Sequence, residues 1–233
     1  MKDIFGRAIL TFAKSGRAPD IITWTSISDE DPLPIQYLFR SYADMPEIEQ
    51  HALRLCSGHI LDVGCGAGSH SLYLQQNKFH VTALDFSPRS VEACRIRGVL
   101  NVRQANIFEF DEGRYDTILL LMNGTGIAGT LDRLQLLFTK LMELLADGGQ
   151  ILIDSSDLLY MFDEDEIPQI RHRKHYYGEI KYYMSWEGDQ ETPLNWLYCD
   201  FDTLSEIANR AGLKSERIMD GENSDFLARL TKK

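Results

Sequence analysis

The stretch HILDVGCGAGSHSLYL, residues His59 to Leu74, reads as a buried strand, a glycine turn and a helix start in direct succession. Ile60, Leu61 and Val63 form a short apolar run, the composition of a strand covered by helices on both faces. Gly64, Gly66 and Gly68 then remove three side chains where the backbone turns sharply and comes close to a ligand. Leu72 and Leu74 resume the apolar pattern, with Ser69 or Ser71 available to serve the helix start. Strand, glycine turn and helix in this order aim backbone N–H groups at a nucleotide-like ligand. A dinucleotide fingerprint spaces its glycines GxGxxG. Here the spacing is Gly64-x-Gly66-x-Gly68, and a carboxylate, Asp62, stands two residues before the first glycine.

Downstream, Phe79 to Asp85 reads as a second strand ending in a carboxylate, about twenty residues past the turn. A carboxylate there can accept both vicinal hydroxyls of a ribose. Phe86 either lies against the adenine or packs in the core, and Ser87 with Pro88 opens a helix. Leu100 to Ala105 is a third strand. Tyr115 to Met122 is the most apolar strand in the chain and runs into Asn123-Gly124-Thr125-Gly126. A periodic helix over Leu131 to Leu145, a Gly148-Gly149 turn and a strand over Gln150 to Asp154 follow. Tyr176 to Trp186 and Leu194 to Phe201 read as a hairpin about Glu187-Gly188-Asp189, inside a connection too long for an ordinary strand-to-helix loop. A helix over Asp202 to Ala211 precedes two closing strands, Leu213 to Met219 and Asp225 to Thr231. Upstream, Ile4, Phe5, Ala8, Ile9 and Phe12 recur at helical spacing. Ser15 to Pro34, rich in Ser, Asp, Pro and Gly, favours an irregular connection, and Asp44 reads as the N-cap of a helix with Pro46 in its first turn.

The glycine spacing, Asp62 and Asp85 together resemble the class I S-adenosylmethionine (SAM)-dependent methyltransferases over roughly Ile48 to Lys233. That resemblance implies an α/β fold: a doubly wound, mostly parallel seven-stranded sheet with an antiparallel closing hairpin. Residues 1–55 become an N-terminal helical flap and residues 56–233 the SAM-binding domain, with an insertion over about 155–200. The turn then takes the methionine part of SAM through Asp62, Gly64, Cys65, Gly66 and Gly68; Asp85 takes the ribose; Phe86, Asn106 and Ile107 take the adenine; and Met122 and Asn123 face the cofactor. Many members carry Asp at the place of Asn106, whose amide oxygen can still accept from the adenine amino group. Tyr37, Phe39, Arg40, Tyr42, His70 and Gly124 are the candidate substrate pocket. The Asn-Pro-Pro-aromatic motif of the branch that methylates amino groups of DNA bases and glutamine is absent here, as is the Pro-Cys nucleophile of the cytosine-C5 branch.

Composition narrows the acceptor. A net charge of −11 on 233 residues opposes a broad nucleic-acid surface, so the expected acceptor is a small molecule offering an O, N or C nucleophile, with no nucleic acid. The run Arg171-His172-Arg173-Lys174-His175 is read as a solvated face. Cys56, Cys65, Cys94 and Cys199 lack metal or disulfide spacing, no complete metal-ligand set is evident, and no apolar run reaches membrane-spanning length, which points to the cytoplasm. The aromatic hairpin can serve as a substrate lid or a homodimer surface. No motif singles out a general base among Tyr42, His70, Asp157, His172 and His175. A non-catalytic SAM-binding or scaffolding protein shares these cofactor signals. An NAD(P)-dependent oxidoreductase shares the glycine turn and Asp85, but neither the GxGxG spacing nor the closing hairpin.

Overall fold

The computed structural model describes residues 2–171, 175–222 and 224–233. Helix α1 (Ile4–Ser15) leads into the strands β1 (Ile21–Thr25) and β2 (Ser28–Leu33), two short 3-10 turns (Ile35–Phe39 and Tyr42–Asp44) and α2 (Glu47–Leu55). The glycine stretch follows as β3 (His59–Val63) and α3 (Ser69–Gln76), then β4 (His80–Asp85), α4 (Pro88–Ile96), β5 (Val102–Gln104) and β6 (Tyr115–Leu120). Helix α5 (Leu131–Leu144), the long β7 (Leu145–Ser156) and the short α6 (Ile167–Arg171) precede the inserted strands β8 (Glu179–Trp186), β9 (Asp189–Gln190) and β10 (Leu194–Leu197). Helix α7 (Phe201–Arg210) and the strands β11 (Leu213–Asp220) and β12 (Asp225–Lys232) close the chain.

A seven-stranded sheet in the order β11-β12-β7-β6-β3-β4-β5 forms the body. Strands β7, β6, β3, β4 and β5 run parallel, and β12 pairs antiparallel with β7 and β11, as the closing hairpin requires. Alternation along β3 divides the core: Ile60 packs with Leu53 of α2 and Leu74 of α3, while Leu61 and Val63 meet Leu137, Phe138 and Leu141 of α5 on the other face. Helix α5 buries Leu134, Leu137, Phe138, Leu141 and Leu144, a stripe at helical spacing, and Thr130 Oγ1 caps it by accepting from Arg133 N. On α4, Ser87 Oγ accepts from Ser90 N, with Pro88 in the first turn.

Two local expectations are corrected. Within Ser15 to Pro34, Ile21 to Leu33 is a β-hairpin, with β1 pairing antiparallel to both β2 and β8, so N-terminal hairpin and insertion merge into one five-stranded sheet of order β10-β8-β1-β2 with β9 paired to β8. The flap region is therefore helical only in part. Polar β2, with Pro32 at its exposed end, holds its conformation by pairing and not by composition. Helix α2 starts at Glu47 behind Pro46, and Asp44 instead accepts from Ser41 Oγ within the preceding 3-10 turn.

The insertion is closed at its base where Tyr198 N donates to Gly178 O at 2.9 Å. A Cβ on Gly178 would lie 1.9 Å from the Tyr198 carbonyl oxygen. Gly178→Ala is expected to lower stability by about 1–3 kcal/mol as an overpacking change, read as a lower urea midpoint at unchanged slope.

Candidate active site

The glycine turn is built from backbone. Leu84 O accepts from Gly64 N at 2.8 Å and Cys65 N at 3.1 Å, which hooks the turn onto the end of β4. Gly64, Gly66 and Gly68 have φ of +72°, +54° and +81°, conformations open to glycine at little cost. Asp85 then locks the turn: Oδ2 accepts from Gly66 N at 2.9 Å and Oδ1 from Ser87 N at 2.8 Å. Burial pushes its carboxyl up to about 6 against the pull of those two bonds. Asp62 Oδ2 accepts from Ser71 Oγ at 2.6 Å, so this carboxylate ties β3 to α3. Neither serine caps α3; Gly68 is the N-cap, and Ser69 Oγ donates to Leu38 O of the flap at 2.7 Å.

A second buried carboxylate repeats the design one strand beyond β6. Asp154, near the end of β7, accepts from Met122 N at 3.1 Å and from Gly124 N at 2.9 Å. It thereby holds Met122 and Asn123 at φ of +66° and +60°, a left-handed pair of non-glycine residues. Burial pushes the Asp154 carboxyl up to about 6 as well. Both polar atoms of the Asn123 side chain are engaged: Nδ2 donates to Leu197 O at 3.1 Å, and Oδ1 accepts from Ser155 Oγ at 2.9 Å. Asn123 thus fastens β10 to the loop.

Over these strand ends lies a buried ionic group that joins the flap to the domain. Arg40 Nη2 donates to both oxygens of Glu49, and His70 Nε2 sits 2.7 Å from Glu49 Oε2. Arg40 Nη1 donates to Tyr37 O at 2.6 Å, with the guanidinium 4.1 Å from the centre of the Tyr37 ring. Burial alone would raise Glu49, but His70 and Arg40 outweigh it and hold the carboxyl below its ordinary value. Arg40 Nε is, among the described residues, the one buried side-chain polar atom without a hydrogen-bond partner. Glu49 escaped the sequence reading, although a carboxylate beside Ile48, Ala52 and Leu53 on the buried side of α2 is its signal.

Helix α1 covers the glycine turn. Ile9 packs with Ala67 and Ala93, Asp3 Oδ2 accepts from Ser87 Oγ and Arg89 Nη1, both at 3.0 Å, and buried Glu191 accepts from Lys2 N and Ile4 N at 2.9 and 3.3 Å. The inserted sheet is thereby bolted to the cover of the turn.

The remaining sequence candidates separate. Phe86 is 56% exposed beside Asp85, while Ile107 is buried with Leu61 and Leu84. Asn106 accepts from Phe108 N at 3.2 Å in an exposed turn. Phe39 packs on Phe12, and Tyr42 stacks on Tyr73 at 4.1 Å while accepting from Arg54 Nη1. Gly124 begins a 3-10 turn after β6. Asp157 accepts from Tyr177 OH at 2.8 Å and lines, with exposed His175, a cavity of about 760 Å³ on the α7 side. His172 lies outside the described residues. Among the described residues, no group of three or more His, Cys, Asp or Glu side chains is placed to hold a metal ion, and no helix is long and apolar enough to cross a membrane.

Comparison with known proteins then decides the family. A SAM-dependent methyltransferase from Bacteroides fragilis, crystallised with S-adenosyl-L-homocysteine, superposes with a TM-score of 0.91 at 45% identity, over 99% of this chain and 95% of that one. The chain belongs to the class I SAM-dependent methyltransferases. The family profile described as a methyltransferase domain matches residues 60–149 of this methyltransferase. Its sheet shares the fold of an amino pentose methyltransferase from Micromonospora echinaspora, at TM-score 0.59 and 17% identity over 85% of this chain and 94% of that one. The ribosomal RNA small subunit methyltransferase C of Salmonella arizonae is 33% identical over 112 residues, 44% of this chain, and the match spans only 32% of that relative. An NAD(P)-dependent oxidoreductase is thereby set aside.

Cys65 is held in its weakly nucleophilic thiol form. Its Sγ lies 3.7 Å from Cys94 Sγ, and that contact together with burial pushes its thiol well above the ordinary value. All four cysteines are buried and free. Iodoacetamide at pH 7 is therefore expected to leave them unlabelled in the folded methyltransferase and to label all of them in urea, as read by intact mass.

Proposed function

We propose that this methyltransferase transfers the methyl group of SAM to a small-molecule acceptor held between the strand ends and the roof of α1, flap and inserted sheet. In this reading the ribose hydroxyls donate to the open lone pairs of Asp85, and the glycine turn with Asp62 behind it receives the methionine part. Phe86 offers its exposed ring to the adenine beside Asn106 and Ile107; Met122 and the Asn123 backbone flank the donor. Arg40 Nε, buried and unpartnered, donates to a ligand oxygen. The residues present fit that ligand, since Gly66 leaves room for close approach, with nothing nearer than 3.9 Å to the position of an added Cβ. SAM, when bound, supplies a methyl group already activated by sulfonium sulfur. The chain contributes alignment and exclusion of water, for which positioning is worth up to about 7–11 kcal/mol.

The observation that supports a small acceptor is the roof: Glu191, Asp189 and Asn123 tie the insertion to α1 and to the loop after β6, fixed elements where a polymer acceptor would need an open groove. The charge of −11 supports the same reading. The curated relatives that act on ribosomal RNA match this chain only over part of its length. Tritiated SAM offered with deproteinised small-molecule extract and, separately, with ribosomal RNA separates the two acceptors; label in RNA alone overturns the small-molecule reading.

Calorimetric titration of S-adenosylhomocysteine tests the cofactor site. Asp85→Ala is expected to weaken binding by about 100-fold or more, since it removes hydrogen bonds to a charged group worth roughly 1.5–3 kcal/mol each. Gly66→Val places a branched side chain at φ +54° and is expected to do the same. Unchanged affinity in both folded variants refutes the assignment.

Ligand hydroxyls donate to the ionised carboxylate, so protonation of Asp85, whose carboxyl is pushed up to about 6, opposes binding. Affinity for S-adenosylhomocysteine is expected to fall as pH drops from 7 to 5, and Asp85→Ala to flatten that part of the dependence.

A further inference from the structure

We propose that the roof is a rigid gate: α1, the N-terminal hairpin and the inserted sheet swing as one body about an axis through Leu197 and Arg40, and the seam that parts lies between α1 and the glycine turn. The inference rests on the placement of the cofactor at that turn and adds how the cofactor enters and leaves.

Apolar packing makes the roof one body. Ile4, Ile9, Ile21, Leu38, Met184 and Trp186 share one buried cluster, drawn from α1, β1, the first 3-10 turn and β8. Among the described residues, the seven-stranded domain enters that cluster only through Ala67 of the glycine turn and Ala93 of α4. A methyl group buries little area and has nothing to interlock, so the roof can lift from this face without breaking its own core. Polar contacts bind α1 to the roof as well: buried Glu191 accepts from Lys2 N and Ile4 N, and Arg7 Nη1 donates to Asp189 at 2.6 Å while its guanidinium lies 5.4 Å from the centre of a Trp186 ring.

The polar ties from α1 to the domain are of another kind. Lys14 pairs with Glu92 of α4 at 2.7 Å, both side chains half exposed, and Asp3 meets Arg89 and Ser87 at 3.0 Å. Exposed ion pairs hold a surface weakly and exchange readily with water. Contacts that interlock lie elsewhere. Trp196 of β10 rests on Gly126, where a Cβ would stand 2.1 Å from its ring, and Leu197 O accepts from Asn123 Nδ2 and Thr125 Oγ1. The buried group of Arg40, Glu49 and His70 is the second fixed point. Two fixed points define an axis, and α1 carries neither.

The seam lies on the residues assigned to the cofactor. Ile9 Cδ1 is 3.9 Å from the place of a Cβ on Gly66, and Asp3 accepts from the hydroxyl of Ser87, whose N–H Asp85 holds. A closed seam therefore covers the bound ligand, and an open one admits or releases it.

The test uses the full chain and S-adenosylhomocysteine, with entry and exit followed by stopped-flow fluorescence of Trp24, Trp186 and Trp196, all in roof strands. Equilibrium titration comes first; absence of binding ends the cofactor reading, and this proposal with it. Gly6 of α1 stands against Ser87 across the seam, and a Cβ there would lie 2.2 Å from Ser87 Oγ, so Gly6→Ala wedges the seam. Weaker closure speeds opening, so association and release are both expected to rise about tenfold with affinity changed far less. Loss of a contact to the ligand would speed release alone. In a second variant, Lys14→Cys with Glu92→Cys is bridged by a bifunctional methanethiosulfonate while the native cysteines stay buried. The bridge is expected to slow entry and exit about a hundredfold or more, and dithiothreitol to restore both. Unchanged rates in the bridged protein, or faster release without faster association in folded Gly6→Ala, overturns the proposal.

Discussion

Two buried carboxylates at strand ends hold the backbone at the carboxyl edge of the sheet of this methyltransferase. Asp85 accepts a backbone N–H on each oxygen, from Gly66 of the glycine turn and from Ser87 just beyond β4, and Asp154 accepts both of its own from the loop after β6. Burial makes their ionised forms costly, and the N–H groups offset part of that cost. Without Asp85 the turn at Gly66 loses its tie to β4; without Asp154 the left-handed pair Met122 and Asn123 loses the bonds that hold it. Each of these oxygens keeps a further lone pair beyond the bond it accepts.

Everything above that edge is assembled from parts distant in the chain. Helix α1, the β1–β2 hairpin and the inserted strands come from opposite ends of the sequence, yet they share one sheet and one apolar cluster containing Ile4, Ile9, Ile21, Met184 and Trp186. Glu191 satisfies backbone N–H groups at the start of α1, and Asn123 reaches β10. A movement of the insertion would therefore disturb both the cover over the glycine turn and the loop after β6. The Arg40, Glu49 and His70 group plays the same part for the flap, as a buried ionic contact that fixes one geometry at the cost of desolvation.

The body of the fold was legible because its signals are local. Apolar runs at β3 and β6, the glycines at left-handed positions, the cap of α4 by Ser87 and the stripe of α5 each specify their own conformation from adjacent residues. The placement of Asp62 and Asp85 was legible because a strand end fixes where a side chain stands. Asp154 stood out in the sequence only as a carboxylate after a strand. The hairpin over Ile21 to Leu33 was not legible, since β2 is polar and β1 is held by β8 from far along the chain. Propensity carries no information about a partner so distant.

The sequence by itself determined the sheet, its closing hairpin and the glycine turn after β3, because hydrophobic period and backbone sterics act over a few residues. Only the tertiary structure decided which polar groups share a buried space. It turned Ser71 toward Asp62, freed Asn123 for the insertion, and brought Glu49 between Arg40 and His70. Those choices depend on distances between elements, and burial, which sets the strength of each such contact, exists only once the elements have packed.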